Sequence, residues 1–288
     1  MRTSILERAL LDLIHELKDD DIDLIIGGGY GILLRVNERK KSGTRTLLSA
    51  WPQERTTGDI DLFLRAELLI NPEQLRPLRT ALDSLDYKPV ESAKFYQFYK
   101  DIPDLPSGTS LKLDILTGPV SRFVGTNVKT DNRRAKPRYP KVDLHAHPTN
   151  EAISLEEYLE PVKISGITSS STQVSGVVFT PHAFTFLMMK LFAFRDRYTD
   201  KNKDYGIYHA LDIYSILATT TEEEWESAFE LKEQYRNDQY FVDACSIVQS
   251  FFSDKESIGI IRLKESPYYQ ENFEVDDFII NIINLFSA

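Results

Sequence analysis

The sequence predicts an α+β fold: a mixed sheet with flanking helices, followed by a mainly helical C-terminal region. Three observations carry this expectation. Alternating or apolar runs of strand length fall at 23–27, 58–64, 94–100 and 110–116. Residues 4–18 and the stretch opened by Asn71-Pro72-Glu73 read as helices flanking those runs. From Thr180 onward the apolar spacing is helical.

In chain order, Ile5, Leu6, Leu10, Leu11, Ile14 and Leu17 mark an amphipathic first helix, and Glu7 within it argues against a signal peptide. Asp23-Leu-Ile-Ile is a short buried strand that ends in Gly27-Gly28-Gly29, after which Tyr30 to Val36 resumes a helical pattern. Residues 37–56 are polar and basic and predict an exposed loop. Residues 117–180 are rich in Ser, Thr, Pro and Gly, with short strands expected near 141–146 and 173–179. Thr180 as cap and Pro181 as first residue then open helices over about 182–198, 205–218, 222–236, 239–252 and 273–286.

Composition bounds the function. The chain has 288 residues, comfortable for two domains of ~100–200 residues, and its 42% hydrophobic content supports packed cores. No apolar run approaches the ~20 residues that span a bilayer, so no membrane partner is expected. The single cysteine, Cys245, excludes an internal disulfide and fits a reducing, cytoplasmic setting. One cysteine and five scattered histidines also argue against structural zinc.

A net charge of −10 argues against a whole-surface nucleic-acid binder. Two stretches run against it. Residues 35–45 hold Arg35, Arg39, Lys40, Lys41 and Arg45 against Glu38, and residues 129–141 hold Lys129, Arg133, Arg134, Lys136, Arg138 and Lys141 against Asp131. Outside them the chain carries a net charge of about −19. Such stretches are either solvated loops or a local funnel for phosphates.

The chemistry centres on Gly58-Asp59-Ile60-Asp61-Leu62-Phe63-Leu64. Side chains alternate along a strand, so Asp59 and Asp61 share one face while Ile60, Leu62 and Leu64 take the other. Two adjacent carboxylates repel unless a cation sits between them. Magnesium suits that arrangement, because it takes one or two carboxylates plus substrate phosphates. In Leu111-Lys-Leu-Asp114-Ile115, Asp114 alternates with inward apolar residues and can join the same face if the two strands are neighbours. The glycine run offers backbone N–H groups to phosphate, although it matches neither a dinucleotide fingerprint nor a P-loop.

The order strand, Gly-Gly, helix, Asp-x-Asp strand and later strand with a lone Asp resembles the nucleotidyltransferase core of the DNA polymerase β superfamily. More specifically it resembles the AbiEii-type abortive-infection toxins, in which a Gly-Gly … Arg-x-Thr-x-Asp-x-Asp pattern recurs. Gly28 and Gly29 match the nucleotide-binding glycines, Arg55, Thr57, Asp59 and Asp61 the second block, and Asp114 the third carboxylate. The long basic insertion between Gly29 and Asp59 departs from the pattern. The resemblance implies a catalytic core over residues 1–165 and, over 166–288, a helical domain contributing to the nucleotide site.

In the helical half, Lys190 lies inside the apolar run Leu187-Met-Met-Lys-Leu-Phe-Ala-Phe194, where it must snorkel or find an anion. The family pattern Lys-Leu-x-Ala-x-x-x-Arg, followed by Lys-Asp, is matched by Lys190, Arg197 and the pair Lys203-Asp204. By that resemblance Lys190 contacts the triphosphate, with Arg197 on the same helix face. The later acidic residue is Asp204 or Asp212, and either could instead pair with Lys190 or Arg197. His145-Ala-His147 looks like the metal strand of PHP-type phosphoesterases, yet its mid-chain place and few following histidines favour an ordinary strand face.

The expectation is therefore a Mg²⁺-dependent enzyme that moves NMP from an NTP to an acceptor hydroxyl. Asp59, Asp61 and Asp114 would hold metal, and Asp114 would also help activate the acceptor. The family context implies a toxin–antitoxin or phage-defence toxin acting on tRNA, with an antitoxin protein as partner. Arg39, Lys40, Lys41, Arg133, Arg134, Lys136 and Arg138 would contact the nucleic acid. The alternatives are an antibiotic-type, small-molecule nucleotidyltransferase and a catalytically idle nucleotide-binding module.

Overall fold

The computed structural model describes residues 4–53, 55, 57–93, 95–102, 110–138 and 141–287. The chain forms two compact units, each assembled from three segments. Met1–Gly31, Thr56–Thr149 and Glu160–Thr180 make the first, and Ile32–Arg55, Asn150–Leu159 and Pro181–Ala288 the second.

The first unit is an α+β layer structure. It contains α1 (Ile5–Glu16), β1 (Ile25–Ile26) and the start of α2 (Gly28–Ser42), then β2 (Asp59–Leu64), α3 (Ala66–Ile70) and α4 (Arg76–Ser84). β3 (Lys88–Pro89), β4 (Gln97–Asp101), β5 (Ser110–Thr117), β6 (Val128–Thr130), β7 (Ala135–Pro137), β8 (His147–Pro148), β9 (Glu160–Ile167) and β10 (Gln173–Thr180) follow. A mixed sheet runs β3-β4-β5-β2-β1-β10-β9, with β8 added to the end of β5, and β6–β7 form a separate hairpin. β2–β5 and β1–β10 are parallel, while β1–β2, β4–β5 and β9–β10 are antiparallel. α1 is set by a capping box, in which Ser4 and Glu7 satisfy each other's backbone N–H groups, and it buries Leu10, Leu11 and Leu13.

The second unit is helical: α5 (Ala183–Arg195), α6 (Ile207–Ala218), α7 (Glu222–Tyr235), α8 (Gln239–Phe251), α9 (Ile258–Glu265) and α10 (Val275–Leu285). α5 is apolar all round and is correspondingly buried all round, the pattern of a central helix. Phe184 stacks with Phe241 and Phe286, and Phe194 packs on Phe251 and Phe252.

Several local expectations change. α2 continues to Ser42, so the first part of 37–56 is helix rather than loop. Asn71 caps only a 3-10 turn and makes no side-chain bond there. The strand expected at 94–100 begins at Gln97, and that at 141–146 is replaced by a single bridge, Ala135 to Ala146, before β8. β9 and α9 were not expected. Thr180 ends β10, and the cap of α5 is His182.

That cap is pH-sensitive. The backbone N–H of Phe184 donates to Nδ1 of His182 at 3.2 Å, which leaves the proton on Nε2, facing Ser227 Oγ at 3.0 Å. Burial, at 1% exposure, pushes the His182 pKa down to about 4. The folded pKa lies below the ordinary ~6.5, so the unfolded chain takes up the proton first. Its stabilisation is therefore complete above ~6.5 and is lost as pH falls toward 4, by about 3 kcal/mol for this group. Urea unfolding at neutral pH and at pH 4 should show a smaller acid loss for His182→Gln, whose amide oxygen can still cap, than for the wild type.

Candidate active site

The parallel pairing of β2 with β5 brings the carboxylates together. Asp61 faces Asp114 across the ladder and Asp59 faces Lys112. Facing residues in a parallel pair share a side of the sheet, so Asp59, Asp61 and Asp114 lie on one face. Ile60, Leu62, Leu113 and Ile115 fill the other and are fully buried. The apolar half of each alternating strand thus fixes where the carboxylates point.

The glycine turn sits directly over this face. Gly27 N–H donates to the Asp61 carbonyl at 2.8 Å. A Cβ on Gly27 would stand 2.3 Å from the Phe63 ring, and one on Gly28 would stand 1.6 Å from Asp61 Oδ2. Gly28 also has φ +60°, a conformation that penalises any side chain. The glycines are required because the start of α2 lies against β2, which brings the open N–H groups of a helix N-terminus beside Asp61.

Each carboxylate has a defined surrounding. Thr57 Oγ1 donates to Asp59 Oδ1 at 2.8 Å. Burial raises the Asp114 pKa and the Asp59 charge adds to this, while a hydrogen bond from Gln97 and the charges of Lys112 and His147 oppose it. Asp114 Oδ1 is buried without a hydrogen-bond partner. His147 is anchored through Nδ1 to the Arg133 carbonyl at 2.8 Å. Gln97 faces Asp114 from β4 and was not singled out from the sequence, although strand periodicity places it on that face.

Among the described residues, no group of three or more His, Cys, Asp or Glu side chains is placed to hold a metal ion by itself. The donor set still suits a hard divalent cation, with oxygen ligands only, an orphaned buried carboxylate oxygen and a like charge beside it. Such a cation commonly completes its shell with water and substrate phosphates.

The second unit holds its own charge cluster. Lys190, 7% exposed, does not snorkel: its Nζ donates to Asp212 at 2.7 Å, and Arg55 reaches Asp212 at 3.2 Å while lying over the Tyr208 ring. Arg197 falls just beyond the end of α5 and donates to His209 Nε2, so it reaches the same helix, α6, as Lys190 does. Burial, then the charges of Lys190, Arg197 and Arg55, drives the His209 pKa down to about 2. Asp212 is therefore the acidic partner of Lys190. Asp204 is exposed in a left-handed backbone conformation.

The two basic stretches differ. Arg35, 1% exposed, and Arg39 both donate to Glu224, so the predicted nucleic-acid contact Arg39 is turned into the fold. Lys40 and Lys41 lie exposed in the last turn of α2. The other stretch is no plain loop: it forms the β6–β7 hairpin, where exposed Lys129 and Lys136 face each other across the ladder, with Arg133 and Arg138 exposed beside them.

No protein-family model and no curated protein matches the chain. Among solved structures, it is similar to the antibiotic-resistance factor ANT(2'')-Ia in solution, at 12% identity and a TM-score of 0.34, over 82% of this chain and 99% of that one.

Proposed function

We propose that this chain is a Mg²⁺-dependent nucleotidyltransferase, with Asp59, Asp61 and Asp114 as its metal-binding carboxylates. The observation that carries the reading is the register that sets Asp61 opposite Asp114 beneath the Gly27-Gly28 turn. A divalent cation at that face would neutralise the triphosphate and lower the pKa of the attacking hydroxyl. The chain's own groups do the rest. The N–H groups at the start of α2, including Gly29, receive phosphate oxygens. Thr57 holds the Asp59 carboxylate in place. The Asp114 carboxylate would help activate the acceptor, taking the hydroxyl proton as that oxygen bonds the α-phosphorus and pyrophosphate departs.

The acceptor we propose is a nucleic acid, with tRNA first among those to test, in keeping with a toxin restrained by an antitoxin protein. Like charges facing each other across a hairpin destabilise it unless an anion lies over them, and Lys129 and Lys136 are so placed. Exposed Lys40 and Lys41 would be outer contacts, and Arg134 a flank of the hairpin. Each of the four radiolabelled NTPs with total tRNA is the test. Replacing Lys129, Arg133, Lys136 and Arg138 by Ser should weaken tRNA binding and flatten its log–log salt slope by roughly 3, at ~0.7 per single-strand phosphate contact, with NTP affinity unchanged. Transfer to tRNA equal to wild type at physiological salt would rule out this surface as the acceptor site.

A further inference from the structure

The first unit also contains a cavity of about 330 Å³. Leu111 lines it and alternates along β5 with Lys112 and Asp114, so the cavity lies on the reverse side of the sheet from the carboxylates. Lys100 faces Leu111 across the β4–β5 ladder and shares that side. From α1, Ile5, Arg8 and Asp12 contribute one helical stripe.

Among the described lining residues the charges do not balance, with Arg8 and Lys100 against Asp12. Asp12, 5% exposed, already has both oxygens committed to the turn between β9 and β10: Oδ1 to Ser169 N at 2.7 Å and Oδ2 to Ser169 Oγ at 2.5 Å. It anchors α1 to that turn. Among the described residues, neither Arg8 nor Lys100 forms an ion pair, and Lys100 lies 5.7 Å over the Tyr87 ring. Besides these cations, Asp12 and Ser169, the wall is apolar, formed by Ile5, Ala9, Ile102 and Leu111. An apolar hollow of this volume with a few placed polar groups is the usual form of a small-molecule site.

We propose that this cavity binds a small amphipathic anion, an alkyl chain with a carboxylate or phosphate head. The chain packs on Ile5, Ile102 and Leu111, and the head lies between Arg8 and Lys100. Titration calorimetry with sodium octanoate and with octyl phosphate, below their micelle concentrations, separates the two heads. Acetate and 1-octanol control for charge and chain alone. At least one octyl anion should bind saturably with 1:1 stoichiometry, and the controls should bind at least roughly tenfold more weakly, as the loss of a charge-assisted contact implies. The Arg8→Gln/Lys100→Gln double variant should lose the octyl anion to a similar degree with its melting temperature unchanged, and Asp59→Ala should bind it as wild type does. Absence of saturable binding by both octyl anions, equal binding by the double variant, or loss in Asp59→Ala would overturn the proposal.

Discussion

Asp59→Ala and Asp61→Ala are expected to lose nucleotidyl transfer by roughly 10³-fold or more while still folding, since a catalytic cation contributes several kcal/mol at ~1.4 kcal/mol per decade. Both side chains are half-buried on a face whose stability rests on the opposite, apolar one. Removing one carboxylate relieves like-charge repulsion around Asp114, so the metal-free variants should melt no lower than the metal-free wild type. Gly28→Ala should reach the same loss by another route. Its Cβ would need the space of Asp61 Oδ2, and its φ of +60° disfavours alanine, so the turn or the carboxylate must move. Initial rates with Mg²⁺ and labelled NTP, together with melting curves with and without Mg²⁺, check both statements. Near-normal turnover in either Asp variant would refute the metal assignment.

Glu224→Ala is expected to cost ~3–5 kcal/mol of stability in the second unit, because it strands the buried Arg35 guanidinium. Glu224 receives Arg35 through both oxygens and Arg39 at 2.8 Å. It also closes the capping box of α7 by accepting from Thr221 N–H at 3.0 Å. Thr219 and Thr220, which also receive the Arg35 guanidinium, carry no charge to replace the carboxylate. The Arg35→Met/Glu224→Leu pair should lose much less than the sum of the single losses, since it removes the buried charges together. Denaturant titration of the three variants measures this, and an Ala variant as stable as wild type would show that the ion pair contributes nothing.

What was legible in the sequence was local. The 2-residue alternation around Asp59, Asp61 and Asp114 identified β2 and β5 and the face each carboxylate takes, because strand geometry makes that a property of neighbouring residues. The apolar runs after residue 180 identified five of the helices, with boundaries shifted by up to three residues. The basic insertion after Gly29 misled the reading. Polar composition suggested a loop from residue 37, whereas α2 continues to Ser42 and Arg35 and Arg39 turn inward to Glu224. Composition cannot reveal a partner 189 positions away. The hairpin at 128–137 was hidden for a similar reason, since its strands are too short for periodicity to register.

The sequence by itself marked the candidates: three aspartates, a glycine turn, and a lysine in an apolar helix that must snorkel or find an anion. Only the tertiary structure decided who meets whom. The parallel register sets Asp61 against Asp114, Gly28 leaves the space that the Asp61 carboxylate occupies, and Asp212, not Asp204, neutralises Lys190. The interleaving of the two units along the chain was likewise decided in three dimensions. The physical reason is that side-chain direction follows from backbone geometry within a few residues. Pairing between distant segments follows instead from burying apolar faces against one another, and that choice is made by the fold as a whole.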